Sequence, residues 1–157
     1  MLAGSHLAVG LAAWVWAAPH LGLSPVDPAA LALAAAGALL PDIDHPRSWV
    51  GRRAWPISRP LAALIGHRGV THSLLAVVAC AAALRWQGFS RAVSTPLVVG
   101  YMSHLAADLL TPAGLRLAWP ARRSWAVPLC RTGSPVEPLI VVALVAWVAV
   151  RALGAAP

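Results

Sequence analysis

Long apolar stretches alternate with polar segments rich in arginine and proline along the chain. A helix that spans a bilayer needs about 20 apolar residues, with a range of about 17–25. Three of the stretches reach that length, one lies at its lower limit, and one is shorter. The pattern predicts an all-α fold, a polytopic membrane bundle of about four to five transmembrane helices. In chain order the stretches are residues 5–23, 28–40, 70–86, 92–110 and 136–153.

The short second stretch carries two local signals. Asp27 precedes Pro28, which is the arrangement of an N-cap residue before the first residue of a helix. Six alanines then precede Gly37 within the same stretch. Small side chains let helix backbones approach closely, so this segment is expected to pack tightly against another helix.

Composition narrows the class of protein. Hydrophobic residues make up 59% of the 157 residues, against about 45–50% in an ordinary soluble domain, which excludes a disordered chain. Two cysteines cannot build a disulfide framework. The net charge of +7 is compatible with nucleic-acid binding, but no reader motif accompanies it, so no nucleic-acid partner is expected.

Arginine supplies all twelve basic side chains, and it is unevenly distributed between the connecting segments. Nine arginines follow the second and fourth stretches, and three lie on the opposite side. By the positive-inside rule, this asymmetry predicts a multi-pass membrane protein whose N-terminus and arginine-rich segments are cytoplasmic. The nine are Arg47, Arg52, Arg53, Arg59, Arg68, Arg116, Arg122, Arg123 and Arg131.

Histidine and acidic side chains fall at the predicted cytoplasmic ends of the stretches. His104 and Asp108 are spaced i, i+4, so on a helix they share one face. Ionisable residues in or near a bilayer are costly unless they are paired or bind a ligand, so their convergence indicates a functional site. The set comprises His6, Asp42, Asp44, His45, His67, His72, His104, Asp108 and Glu137.

Imidazole and carboxylate together are the ligands of zinc, manganese and iron. No cysteine lies in the cluster, which favours a hydrolytic site with a position open for water. One or two ions are expected, zinc first, with Asp42 or Asp44 bridging in a two-metal centre. Arg68 is a candidate clamp for an anionic oxygen, and a free carboxylate among Asp42, Asp44 and Glu137 is the candidate general base.

A structural interpretation competes with the metal site, because His104 and Asp108 would also serve as a polar pair between helices. A separate local expectation concerns Thr71, which is expected to cap the helix of the third stretch.

Three segments carry a resemblance to a known family. Residues 39–48, 67–75 and 100–114 resemble the signature blocks of the YdjM-type bacterial inner-membrane proteins. Those proteins are regarded as membrane-bound metal-dependent hydrolases, and the likeness covers nearly the whole chain as one domain, residues 1–157. The resemblance implies a metal site at His6, Asp42, Asp44, His67, His72, His104 and Asp108.

A weaker likeness concerns the order of the ligands along the chain. An aspartate, a histidine and then His104 with Asp108 resemble the zinc sites of zinc-dependent phospholipase C and S1-type nucleases. Those enzymes have further histidines after this element, whereas this chain has none after His104. Glu137 is the only candidate for a further metal ligand after Asp108.

The function expected from the sequence is that of a membrane-bound metal-dependent hydrolase. Its catalytic residues are expected to be Asp44, Arg68 and Glu137. The substrate is expected to be a phospholipid or another phosphate ester, and membrane lipids are the expected partners. The alternative is a non-catalytic membrane scaffold or metal-binding protein that uses the same histidines and aspartates.

Overall fold

A computed structural model describes residues 1–65 and 69–154, and the regular elements in these ranges are helices, with one isolated antiparallel β-bridge between Leu115 and Trp125. The all-α prediction is therefore confirmed. Two short 3₁₀ turns, Leu40–Asp44 and Val70–His72, interrupt the series of helices. The helices are α1 (Ala3–His20), α2 (Pro28–Leu39), α3 (Trp49–Arg53), α4 (Trp55–Ile65), α5 (Leu74–Trp86), α6 (Arg91–Leu109) and α7 (Val136–Gly154).

The expected transmembrane helices are not supported. None of the helices in the described ranges combines the length and the apolar character that a bilayer crossing requires. Helices α2 and α5 have only 12 and 13 residues, below the roughly 17 that a span needs. Helix α6 is continuous, but the polar side chains of Ser103, His104 and Asp108 interrupt the apolar character of its second half.

Helices α1, α2 and α6 pack against one another and form the centre of the fold. Glycines make this packing possible. A Cβ atom on Gly37 would lie 2.1 Å from the Leu97 carbonyl oxygen, and one on Gly100 would lie 2.0 Å from the Ala34 carbonyl oxygen. Because the backbones of α2 and α6 touch at both glycines, the tight packing predicted for the alanine-rich stretch is confirmed.

Side-chain caps define where three helices begin. The Asp27 carboxylate accepts a hydrogen bond of 2.9 Å from the Ala30 N–H, which confirms its predicted role at the start of α2. Ser48 caps α3 in the same way. Helix α5 is capped by Ser73, whose hydroxyl accepts from the Ala76 N–H. The prediction of Thr71 as this cap is wrong, because Thr71 lies in the preceding 3₁₀ turn and its hydroxyl donates to Asp44.

Candidate metal centre

Three polar side chains of the site project from the helices of the central trio. His6 lies on α1, and His104 and Asp108 lie one turn apart on α6; all three are almost fully buried. The imidazole rings of His6 and His104 stack, with centroids 3.7 Å apart and planes inclined by 10°. His6 Nε2 lies 3.3 Å from Asp108 Oδ1. We call these three residues the helix-borne half of the site.

The remaining side chains come from the two 3₁₀ turns. Asp42 and Asp44 lie on the first turn, directly after α2, and His72 ends the second turn, just before α5. His72 Nε2 lies 3.2 Å from His104 Nε2, so the turns place this half against α6. We call these three residues the turn-borne half of the site.

Four ligand-type atoms of the two halves surround a common point. His72 Nε2 and His104 Nε2 lie 3.7 and 3.8 Å from Asp42 Oδ1 and 4.0 and 3.9 Å from Asp108 Oδ2. Ligands about 2.0–2.1 Å from a tetrahedral zinc ion lie about 3.3 Å from one another. The two nitrogen atoms, 3.2 Å apart, match this spacing, and the four nitrogen-to-oxygen separations are wider by 0.4–0.7 Å, so the four residues could close around a divalent metal ion.

Hydrogen bonds behind His104 fix which nitrogen faces the centre. His104 Nδ1 lies 2.7 Å from the Ala38 carbonyl oxygen, near the end of α2. Because a carbonyl only accepts, Nδ1 carries the proton in this bond. His104 Nε2 therefore presents its lone pair to the centre, and the close packing of α2 on α6 determines that orientation.

Asp44 orients His72 in the same manner. Its carboxylate is fully buried and lies 3.2 Å from His72 Nδ1, while the Thr71 hydroxyl donates to the same carboxylate. The Tyr101 hydroxyl on α6 donates a 2.7 Å hydrogen bond to the Thr71 carbonyl oxygen and so ties this turn to the helix. A carboxylate behind a ligating histidine is common in metal sites. The geometry gives Asp44 this orienting position instead of a place among the four converging atoms.

The geometry also bears on the number of ions. Two groups of three residues have ligand atoms within 4.8 Å of one another, namely His6 with His104 and Asp108, and Asp42 with His72 and His104. Both groups contain His104, whose Nδ1 is engaged with Ala38. Since one nitrogen binds one ion, the arrangement favours a single ion. A second ion would need His6 and Asp108 Oδ1, and Asp108 Oδ1 already forms an ion pair of 2.5 Å with the N-terminal ammonium of Met1.

The pKa values of Asp42 and His72, which face the centre from the turn-borne half, depend on each other. Burial disfavours the charged form of Asp42, but His72, His104 and His6 outweigh it and hold the pKa of Asp42 below its usual value. Burial also disfavours protonation of His72, yet the hydrogen bonds to Asp42 and Asp44 raise its pKa. A metal ion therefore competes with a proton for His72.

Three further residues belong to the predicted site. His67 and Arg68 lie outside the described residues. Glu137, at the start of α7, accepts hydrogen bonds of 2.7 Å from the Leu2 N–H and 2.6 Å from the Gly133 N–H. These bonds occupy both carboxylate oxygens, so the geometry gives Glu137 the task of joining the N-terminal segment to the loop before α7.

A cavity of about 420 Å³ opens onto the centre. Asp42 and Asp108 lie in its wall, and so do Arg47 and Arg52 from the segment that follows the first 3₁₀ turn. The sequence reasoning treated both arginines only as topology signals. Their position five and ten residues after Asp42 was the available hint that they belong beside the site.

Comparison with known proteins gives a family for the chain. A family model described as YdjM inner membrane protein matches residues 1–156. The inner membrane protein YdjM of Escherichia coli (strain K12) is 45% identical over 117 residues, and the protein of the same name from Shigella flexneri matches equally. These matches cover 69% of this chain and 59% of each relative, so the chain spans less than two thirds of their length.

A third relative covers more of the chain. The uncharacterized protein YvsG of Bacillus subtilis (strain 168) is 34% identical over 145 residues, which is 92% of this chain and 89% of that protein. No solved structure matches the chain. None of the proteins named here is a phospholipase C or an S1-type nuclease, so that distant likeness stays a prediction.

Proposed function

The chain belongs to the YdjM family of inner membrane proteins, and from this premise we propose that it is a metal-dependent hydrolase of ester or phosphoester bonds. His72, His104, Asp42 and Asp108 would hold the ion, with zinc preferred over manganese or iron for this donor set. When bound, such an ion lowers the pKa of water towards about 7 and stabilises negative charge that develops on the substrate.

The observation that carries the proposal is the meeting of two imidazole nitrogens. His72 Nε2 and His104 Nε2 lie 3.2 Å apart, while the Nδ1 atom of each ring faces an oxygen acceptor on its other side. Two lone pairs at this distance repel unless a proton or a cation lies between them. Two carboxylate oxygens complete the surroundings, and buried charges of this kind are stabilised by pairing or by a metal ion.

The chain's own residues then have distinct tasks. Asp42 is 18% exposed, whereas Asp108 is 2% exposed, and both border the cavity. Asp42 would therefore be the ligand nearest to an entering substrate. Its second oxygen, Oδ2, is not among the four converging atoms and is the proposed acceptor of a proton from an attacking water molecule. Asp44 and the Ala38 carbonyl hold the two imidazole rings in the orientation that the ligand role requires. The catalytic roles expected for Asp44, Arg68 and Glu137 stay predictions.

Location at the bacterial inner membrane is part of the proposal. It rests on the printed name of the family and of the relatives. Large apolar side chains on the outer faces of α5 and α7 support it, because solvent-exposed apolar patches of this kind mark membrane or protein contacts. Examples are Leu74, Leu75 and Val78 on α5 and Leu139, Val142 and Val150 on α7, all at least 49% exposed.

Metal analysis tests the binding half of the proposal. We expect the purified protein to contain zinc in stoichiometric amount, and we expect Asp42→Asn and Asp108→Asn to lose most of it. Asp27→Asn is the matched control, since Asp27 caps α2 and asparagine is an equally good cap. Loss of zinc from none of the variants, or equally from the control, would contradict the site.

Turnover tests the catalytic half. The zinc-loaded protein would be assayed with p-nitrophenyl phosphate, bis(p-nitrophenyl) phosphate, p-nitrophenyl acetate and a glycerophospholipid. We expect hydrolysis of at least one, and its loss in His72→Ala. Stoichiometric zinc without turnover of any of the four would refute the enzyme and favour the non-catalytic metal-binding or scaffold protein.

A further inference from the structure

The cavity beside the metal centre has a positively charged wall. Arg47 lies in the loop after the first 3₁₀ turn, and Arg52 lies on α3; both are exposed and both border the cavity. Within residues 1–65 and 69–154, no carboxylate forms a salt bridge with either guanidinium. Two cationic groups without a protein counter-ion therefore stand next to the proposed reaction centre.

The segment that carries these arginines is held firmly on the site. The Ser48 hydroxyl donates a 2.8 Å hydrogen bond to the Asp42 carbonyl oxygen and accepts one of 2.8 Å from the Gly51 N–H. Gly51 lies so close to the first turn that a Cβ atom there would be 2.0 Å from the His45 carbonyl oxygen. The positions of the arginines are thus coupled to the backbone of Asp42.

The neighbouring arginine is engaged elsewhere. Arg53 also lies on α3, but its guanidinium stacks on the Trp49 ring at 3.8 Å and donates to the Trp49 carbonyl oxygen at 3.0 Å. It is not part of the cavity wall. The short segment therefore presents two arginines to the cavity and keeps the third on its own surface.

Charge and size together define the ligand. The N-terminal ammonium of Met1, which pairs with Asp108 and also borders the cavity, and a divalent ion would together offset the carboxylates of Asp42 and Asp108. The two guanidiniums are then left unbalanced. Guanidinium groups bind phosphate oxygens with paired, charge-assisted hydrogen bonds. A cavity of about 420 Å³ falls in the range of small-molecule sites, about 300–1,000 Å³. It accommodates a phosphorylated head group or small ester, not a whole lipid.

We infer that this cavity is a phosphate-binding site, in which Arg47 and Arg52 bind the non-bridging oxygens of a phosphate ester while its reacting group faces the metal centre. The inference rests on the proposed function and gives it a substrate class. The phosphate group is the shared chemistry of a soluble ester and of a phospholipid head group.

The test measures binding of inorganic phosphate to the zinc-loaded protein by calorimetry. The double variant R47Q/R52Q is compared with wild type, and R53Q is the matched control on the same helix. We expect the double variant to bind phosphate about tenfold more weakly or worse, since it loses charge-assisted hydrogen bonds. We expect R53Q to bind as wild type does, and all three proteins to retain equal zinc.

The zinc content separates the two levels of the proposal. If wild type binds no metal, the proposed function fails and the inference falls with it. If zinc is retained but the double variant binds phosphate like wild type, the centre stands and the phosphate site is refuted. Equal weakening in R53Q also refutes it, because surface charge alone then accounts for binding.

A second arm identifies the source of the phosphate group. Flotation with phosphatidylcholine vesicles, with and without phosphatidic acid, is compared with calorimetric titration of glycerol 3-phosphate. Preference for phosphatidic acid that is lost in R47Q/R52Q supports the site and assigns it to a lipid head group. Arginine-dependent binding of glycerol 3-phosphate without vesicle preference supports it as a site for a soluble ester. Absence of both responses overturns the inference.

Discussion

The two halves of the site are held in place by different means. The helix-borne half, His6, His104 and Asp108, lies on α1 and α6, where backbone-to-backbone packing determines each position. The turn-borne half, Asp42, Asp44 and His72, lies on two short 3₁₀ turns whose own helical hydrogen bonds are few. Side-chain hydrogen bonds from Thr71, Tyr101 and Ser48 secure these turns.

This difference predicts how each half responds to mutation. Helix packing is cooperative, so a change in the helix-borne half is expected to affect the stability of the whole fold as well as metal binding. The turns depend on individual hydrogen bonds, so a change there is expected to affect metal binding more than stability. The predictions below test that contrast.

The largest effect is expected for His104→Ala, because His104 belongs to both candidate ligand groups. Zinc binds small structural sites with about 10–16 kcal/mol, so one of four ligands contributes roughly 3 kcal/mol, about a hundredfold in affinity. Competition with a chromophoric chelator measures the change. His20→Ala, at the exposed end of α1, is the control. Equal zinc affinity in both variants would remove His104 from the site.

The next effect concerns packing. Gly100→Ala introduces a Cβ atom 2.0 Å from the Ala34 carbonyl oxygen, so α2 and α6 must separate. Overpacking of this kind costs about 1–3 kcal/mol of unfolding free energy. The separation also disturbs the bond between His104 and Ala38, so zinc should stabilise the variant less than wild type in thermal unfolding.

Gly4→Ala is the matched control for that packing test. Gly4 lies on α1 with no atom within 4 Å of a Cβ placed there. Alanine has the higher helix propensity, so this variant should be at least as stable as wild type. If Gly100→Ala is no less stable than Gly4→Ala, the close approach of α2 and α6 does not support the helix-borne half.

All six residues of the two halves could be predicted for the site from sequence, but the arrangement could be predicted only for part of the helix-borne half. The i, i+4 spacing of His104 and Asp108 places them on one face of α6. The alanines and Gly37 of α2 predict that this helix packs closely against another helix. By contrast, nothing in the spacing of Asp42 and Asp44 distinguishes a ligand from an orienting carboxylate. That distinction depends on which side of His72 each one reaches, which is a matter of tertiary structure.

Two further groups of residues show the same limit of sequence reasoning. Arginines beside apolar segments are typical of topology signals, so nothing in the sequence indicates separately that Arg47 and Arg52 line a cavity. Glu137 is predicted for the site because it begins an apolar stretch, and in the structure it accepts hydrogen bonds from the backbone N–H groups of Leu2 and Gly133. Its catalytic role stays a prediction, and backbone partners of this kind leave no pattern in a sequence.

Asp44→Asn is expected to have an intermediate effect that is confined to metal binding. The substitution keeps the size of the side chain and its capacity to accept from Thr71, but removes the charge behind His72. Loss of such an orienting carboxylate typically weakens metal affinity by about 10–100-fold. X-ray absorption should report an unchanged number of ligands around zinc. A decrease by one ligand would mean that Asp44 itself binds the metal.

The smallest effect is expected for Tyr101→Phe, which removes the hydroxyl that joins α6 to the turn-borne half. The lost hydrogen bond to the Thr71 carbonyl should cost about 0.5–1.5 kcal/mol of unfolding free energy, measured by chemical denaturation. The ring keeps its packing, so the affinity for zinc should decrease by less than it does in Asp44→Asn. A decrease in affinity as large as that of Asp44→Asn would show that the anchoring of the turn, and not the charge behind His72, controls metal binding in this half.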